Sequence, residues 1–415
     1  MTTATVTDAP ASDEARDEAA FRAEVRVWIA RRAPGAAVGS RSGGFSASAV
    51  DEERVARECR AWQRQRFEGG WAGLSWPVEH GGRGLPASFE RIFAEEQSVA
   101  GISTASLQVG LGMVGPTIIT HGTPEQRDRH LGPILEGEEG WCQLFSEPGA
   151  GSDLAAVACR AALDGDEWVL DGQKVWTSGA HHSQWGILLA RTAPDHPKHR
   201  GITCLLVDMT TPGIEVKPRR QMTGGTHFSD VFLTGVRVPS TSVLGEVNGG
   251  WGVALTTLMF ERGVLGGTNL GPDAQDVLDL AVEHGRSDDP TFRDALARTY
   301  SRERILGFLG ERTRAGASRG TLRGYEGSVA KLAHAQHVRE TSALALRVLG
   351  PSAVLAGADA PGEGSWGQFF LGAPSYRIAG GTDEIQRNLI AERGLGLPTE
   401  PRTDRSLPFR DLLRS

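Results

Sequence analysis

The sequence predicts a mainly helical protein with a β domain at its centre, and three observations carry that prediction. Apolar residues recur at helical spacing from residue 15 to about 138. Near Trp141 they change to short runs separated by turn dipeptides, and from Gly250 onward long helical patterns return. The order α, β, α divides the chain into a loose tail (1–14), an N-terminal helical domain (15–138), a middle β domain (139–245), a C-terminal helical domain (246–398) and a second tail (399–415). At 415 residues the chain is long enough for two or three cores and for burying a large ligand.

The first 14 residues are small and polar without periodicity. Phe21, Val25, Trp28 and Ile29 then fall along one helical face until Pro34-Gly35 stops it. Val55, Cys59 and Trp62 repeat the pattern, and after the glycine-rich link Glu79–Gly84 another helical region starts near Ser88. Thr123-Pro124-Glu125-Gln126 places an N-cap residue, a first-turn proline and a capping-box glutamine in order, which predicts a helix start. In the β region, Asp164-Gly165 and Asp171-Gly172 separate 159–163, 167–170 and 174–177 as if in successive hairpins. Further runs at 185–190, 202–208, 214–217 and 230–238 bring the total to seven or eight strands, the signature of a small barrel or sandwich. Helices follow at 253–263, 295–314, 327–349 and 383–393, with 356–372 reading as a Gly/Ala/Pro-rich loop. The polar end from Pro398, with Phe409, Leu412 and Leu413 near its close, reads as a fraying terminus.

Composition narrows the function. Forty-four Lys and Arg against 51 Asp and Glu give a formal charge of -7, which argues against the basic face that nucleic acid requires. Cys59, Cys142, Cys159 and Cys204 are widely spaced and read as reduced thiols in a cytoplasm. No apolar run predicts export or a membrane span. Phosphate-loop, dinucleotide-fold, zincin and hydrolase motifs are missing. His181-His182 suggests a metal, but adjacent residues on a strand point to opposite faces and one ion would rarely take both, so no metal site is expected there. His334 and His337, three apart on a helix with no acidic or thiol partner, read as an exposed pair.

The informative stretch is Phe145-Ser146-Glu147-Pro148-Gly149-Ala150-Gly151-Ser152-Asp153, where small residues around a serine let backbone N–H groups approach an anionic or carbonyl-rich ligand. Together with Asp171–Gly179 and Gly380-Gly381-Thr382-Asp383-Glu384-Ile385-Gln386-Arg387-Asn388, it resembles the acyl-CoA dehydrogenase family of flavoproteins, in order from about residue 20 to 398. The resemblance implies a helical domain, a β-barrel and a C-terminal four-helix bundle, with FAD between barrel and bundle. It also implies cofactor contacts at Gln143, Phe145, Ser146, Ser152, Trp176, Thr177, Ser178, Thr382 and Glu384, with Ser152 also close to the acyl-CoA.

The family's reaction removes the proton α to a thioester and passes a hydride from the β carbon to flavin. It needs a desolvated carboxylate near a hydrogen-bonded carbonyl oxygen. In many members that glutamate immediately precedes the Gly-Thr of the last motif, and here that position is Gly380. A second subgroup, which includes isovaleryl- and long-chain-type dehydrogenases, carries its base on an earlier helix in a Glu-Arg pair. Glu261-Arg262 matches that pair, and Leu258, Met259, Phe260, Val264 and Leu265 around it are expected to desolvate the carboxylate. The resemblance makes Glu261 the base, leaves Gly380 as a backbone donor and sets Arg262 near substrate phosphates.

Two family elements at the far end of the cofactor depart from pattern. Arg-x-x-Phe-Gly falls at Arg286-Ser287-Asp288-Asp289-Pro290, and Gln-x-x-Gly-Gly at Arg347-Val348-Leu349-Gly350-Pro351. Expected partners are an acyl-CoA or carrier-protein thioester, an electron-transfer flavoprotein, and either copies of this chain (homodimer or homotetramer) or a related second chain. Two rivals stay open at this level: a non-catalytic partner subunit, and a flavin oxidase or monooxygenase of the same fold.

Overall fold

A computed structural model describes residues 13–32, 49–102, 104–267, 271–401, 404 and 406–412. Most of the loose N-terminal tail lies outside the described residues. The N-terminal domain contains α1 (Asp13–Arg32), α2 (Ala49–Glu68), α3 (Ala87–Val99), α4 (Gly115–His121) and α5 (Pro124–Glu136). The predicted start of α5 is as read: Thr123 Oγ1 accepts from Gln126 N at 3.2 Å, and the Gln126 side chain accepts from Thr123 N at 3.1 Å. Phe21, Val25, Ile29 and Trp62 share one buried cluster with Trp71, Ile92 and Phe93, so the spaced apolar residues of α1 and α2 do face each other.

The middle domain has eight strands: β1 (Trp141–Leu144), β2 (Arg160–Asp164), β3 (Glu167–Ser178), β4 (Trp185–Arg191), β5 (Ile202–Asp208), β6 (Ile214–Arg219), β7 (Phe228–Pro239) and β8 (Val243–Leu244). They form one sheet in the order β6-β7-β3-β2-β4-β5-β8, with β1 joined to β4. The pairing is an open path, not the closed barrel expected from the strand count. Both faces of β4 and β5 are nonetheless buried. Alternate residues such as Leu188, Leu205, Leu170 and Val231 gather into a core made of the sheet's own side chains, while Ile187, Leu189, Cys204 and Leu206 pack on Trp76, Ile118, Ile134 and Val253 of the helices.

One predicted hairpin is absent. Asp171-Gly172 is no turn: β3 runs through it as a single strand with register shifts at 170/172 and 174/177. Gly172 is required there because a Cβ would stand 2.8 Å from the Cys159 Cα.

The C-terminal domain holds α6 (Gly250–Gly267), α7 (Ala274–Glu283), α8 (Pro290–Ser318), α9 (Glu326–Leu349), α10 (Ser365–Gly372) and α11 (Asp383–Leu389). Helix α9 is its centre and touches each of the other five. The segment read as a loop at 356–372 ends in α10, whose Phe369 packs against Val338 of α9.

His334 and His337 face inward, and burial drives both imidazoles below their usual range, His337 to about 4. The exposed-pair reading is therefore corrected: α9 is surrounded and has little free face. The terminus is also not frayed at Phe409, which is buried with the Arg191 guanidinium 3.8 Å above its ring. Arg191 itself donates to the carbonyls of Ala155, Val157 and Lys198, and burial lowers its pKa to about 10.

Candidate functional site

The residues singled out in the middle domain are brought together by two strands. Gln143 lies on β1 and Phe145-Ser146 directly follow it; Trp176, Thr177 and Ser178 close β3. Val175 N donates to Ser146 O at 2.9 Å, which holds the two segments side by side. Beneath them sits a residue the sequence reading passed over. Lys174 is fully buried and donates to Phe145 O (3.1 Å), Leu189 O (2.7 Å) and Glu147 Oε1 (2.6 Å). Glu147 also accepts from the backbone N–H of Ala158 and Cys159. A buried ion pair persists only when its remaining hydrogen-bonding capacity is met, and here it is met by backbone groups on both sides of the motif. The signal in the sequence was the alternation of β3, which points Lys174 inward; lysine's usual surface preference hid it.

What these strands present upward is unfinished. Trp176 is 56% exposed, at φ +57 in the irregular stretch of β3, with Phe228 against its edge and the Arg219 guanidinium 5.2 Å from its ring. A non-glycine residue at positive φ is uncommon and costs energy, so an exposed tryptophan held there is more than packing. Gln143 Nε2 and Thr177 Oγ1 are buried with no hydrogen-bond partner among the described residues. Ser152 is exposed, and side chains at Gly149 or Gly151 would meet open space, so a ligand can reach the backbone of this loop. Asp153 Oδ2 is fixed by Lys198 Nζ at 2.7 Å, and the same ammonium reaches Asp404 Oδ2 at 2.6 Å. An aromatic face, unsatisfied polar atoms and an open glycine loop suit a flavin.

In the C-terminal domain, Gly380 and Gly381 have φ +65 and +91, the left-handed region that glycine enters without strain. Gln386 Nε2 donates to both of their carbonyls, at 2.9 and 3.1 Å. Thr382 caps α11 by accepting from Ile385 N at 3.2 Å. Asp383 is buried between Lys331 (3.4 Å) and Arg377 (2.7 Å), which pins α11 to α9. Glu384 is exposed beside Arg387.

Glu261 lies near the end of α6, which packs on α9, β5 and the 110–114 turn. Buried Thr257 of the same helix meets Thr117 across the domain boundary at 3.2 Å. Glu261 is partly buried, and of the residues expected to desolvate it Leu258 packs on the core while Met259 is exposed. The side chains of Arg262, Val264 and Leu265 lie outside those described. Helices α6 and α11, which carry Glu261 and follow Gly380, share α9 as a common support.

Profiles of the N-terminal, middle and C-terminal domains of acyl-CoA dehydrogenase match residues 15–138, 142–236 and 248–395. The chain belongs to the acyl-CoA dehydrogenase family, oxidoreductases that dehydrogenate an acyl thioester between its α and β carbons with flavin as hydride acceptor. It is 40% identical over 395 residues to "Acyl-CoA dehydrogenase IpdE1" of Mycobacterium tuberculosis (strain ATCC 25618 / H37Rv), an alignment covering 93% of this chain and 99% of that protein. Among solved structures it is similar to a "Tcur3481-Tcur3483 steroid ACAD", with TM-score 0.80, 30% identity and coverage of 93% and 98% of the two chains. It is also similar to the ChsE4-ChsE5 complex of Mycobacterium tuberculosis, with TM-score 0.73, 27% identity and coverage of 96% and 100%. Among the described residues no helix is long and apolar enough to cross a membrane.

Proposed function

We propose that this chain desaturates a bulky, steroid-derived acyl-CoA thioester with Glu261 as the base, within a complex that includes a related second chain. One observation carries the assignment of the base. The position where many family members place their glutamate is Gly380, with no side chain and a left-handed backbone, while α6 supplies a carboxylate at Glu261 and both segments are supported by α9.

Glu261 takes the α proton, and a backbone N–H at Gly380 donates to the thioester oxygen on which negative charge develops. FAD, when bound, supplies the acceptor for the β hydride. Gln143, Phe145, Ser146, Ser152, Trp176, Thr177, Ser178, Thr382 and Glu384 would hold it, with Ser152 also assigned to the substrate; Arg262 is assigned to the substrate's phosphates by its place in the family's Glu-Arg pair alone. An electron-transfer flavoprotein is the proposed acceptor, and a reducing cytoplasm suits four buried thiols that form no disulfide among the described residues, with burial raising the pKa of Cys142 to about 12 and of Cys159 to about 11.

The second chain is supported by the two departures from family pattern. Where the family has Arg-x-x-Phe-Gly, Asp289 instead caps α8 by accepting from Thr291 N and Phe292 N, and Arg286 is exposed. Where it has Gln-x-x-Gly-Gly, Gly350 ends α9 at φ +57 ahead of Pro351. The substrate class follows the steroid ACAD named among the solved structures.

The test is anaerobic bleaching of the bound flavin by a panel of steroid-derived and straight-chain acyl-CoA thioesters, using the chain alone and co-purified with a related chain. Bleaching by the steroid-derived thioesters in the co-purified complex is expected. A complex bleached only by straight-chain thioesters would remove the substrate assignment, and full flavin content in the single chain would remove the need for a partner.

A further inference from the structure

The sequence reading set aside His181-His182 because adjacent strand residues diverge. The structure removes that premise. Residues Ala180–His182 form a short 3-10 turn, and the two imidazole rings lie with centroids 4.0 Å apart. Glu52 of α2 reaches the same point, and one ligand atom from each of Glu52, His181 and His182 lies within 4.8 Å of the others. We propose that these three side chains bind a single divalent transition ion of the zinc type, which joins the N-terminal domain to the turn following Trp176-Thr177-Ser178.

The chemistry of the donor set is suitable. Two borderline imidazole nitrogens with one hard carboxylate oxygen are a combination that zinc takes, and three protein ligands leave the fourth tetrahedral position to water. Ligand atoms about 2.1 Å from a tetrahedral ion stand roughly 3.4 Å apart. His181 Nε2 and Glu52 Oε2 already meet at 3.4 Å, so the remaining adjustment falls on His182. Its Nε2 is buried with no hydrogen-bond partner among the described residues.

The groups behind the ligands are also in place. A metal-bound histidine is normally held through its other ring nitrogen, and His181 Nδ1 lies 3.2 Å from the Oγ of fully buried Ser229 on β7. Glu52 is oriented by Thr226, whose N–H donates to Oε1 at 3.0 Å and whose hydroxyl donates to Oε2 at 3.4 Å. The turn is fixed by His182 N donating to Gly179 O, Gly179 N donating to His227 O, and Arg60 Nη2 donating to His182 O at 2.8 Å. The ligands thus come from two domains but sit on backbone that is already ordered, so an ion strengthens the α2 contact without reorganising the strand that ends in Ser178.

The experiment uses the full chain without an affinity tag, in whichever assembly it purifies, dialysed against buffer containing zinc. Elemental analysis is expected to find one zinc per chain, and cobalt substitution to give the visible bands of a tetrahedral ion. His182→Asn and Glu52→Gln should each weaken zinc binding by more than about 100-fold, exceeding the loss typical when a group that only holds a ligand is removed, and Ser229→Ala by about tenfold. His334→Asn, distant in the fold, should leave zinc content unchanged. A wild-type chain that retains no zinc overturns the site, as does unchanged zinc content after His182 and Glu52 are replaced. Because Ser229→Ala keeps all three ligands, it tests the site even if a ligand variant folds poorly. Zinc content is read independently of turnover, so its outcome is separate from that of the proposed dehydrogenation.

Discussion

The strands that carry the proposed flavin contacts are tied from beneath by a buried ammonium whose hydrogen bonds all stay within the chain, at Phe145, Glu147 and Leu189. The C-terminal end of the same site is held differently. Asp383 anchors it through two partly exposed cations, Lys331 and Arg377, while Gln386 Oε1, His334 Nε2, His337 Nδ1 and Thr341 Oγ1 are buried with no hydrogen-bond partner among the described residues. Buried polar groups left unsatisfied are costly, so such a cluster lowers the stability of the helix packing that contains it. The contrast teaches that the middle domain is tied from beneath by its own backbone carbonyls, leaving Gln143 Nε2 and Thr177 Oγ1 open only at the proposed flavin face, whereas the C-terminal half also leaves polar atoms open inside its own helix packing.

Four experiments would break or sharpen this contrast. The largest effect is expected from Glu261→Gln, which should lower the rate of flavin bleaching by about 10⁴-fold, the upper range for loss of a general base. Stopped-flow reduction measures it, and flavin content should not change. Bleaching at the wild-type rate would place the base elsewhere.

Next is Lys174→Met, which leaves Glu147 buried without its cation and should cost about 3–5 kcal/mol. Denaturant unfolding reads this, and Lys174→Met with Glu147→Gln should recover part of the loss. If the single variant is as stable as wild type, the middle domain is not held in the way described.

The third effect is a pH dependence centred on the C-terminal half. His337 has a folded pKa of about 4 against an ordinary value near 6.5, and desolvation also lowers His334. The unfolded chain therefore binds more protons between these values. Stability from His337 is fully present above pH 6.5 and falls on acidification toward pH 4, by up to about 3 kcal/mol. Unfolding curves across that range should show a shallower slope in His337→Gln than in wild type.

The smallest effect is that of Thr382→Ala, which removes the cap of α11 and should cost about 1 kcal/mol. Amide exchange confined to α11 would show it, while β1 and β3 should be unaffected.

The sequence made the α, β, α order legible because the apolar period changes at a definite place, Trp141, and because the Thr123 capping box marks its helix directly. It did not disclose that β3 runs unbroken through Asp171-Gly172, since a turn dipeptide and a bulge demanded by Cys159 use the same glycine. The motif residues were legible through resemblance, but their support was not. Lys174 and Arg191 act from inside the fold, where charged residues are seldom expected, and their partners are mostly backbone carbonyls that no side-chain pattern reveals. The strand geometry assumed for His181-His182 differs from the structure for a local reason: a 3-10 turn at Ala180–His182 brings together rings that a strand would separate. Glu261 could be picked out, but its surroundings could not, because whether Met259 covers it depends on which way α6 faces.

Lys198 links two carboxylates, one beside Ser152 and the other 206 positions beyond the lysine itself. During synthesis the earlier partner emerges long before the later one, so a nascent polypeptide has this ammonium only half engaged. The serine loop thus reaches its final restraint among the last events of biogenesis, and enzyme cut short ahead of Asp404 should load its prosthetic group poorly despite containing every residue expected to touch it.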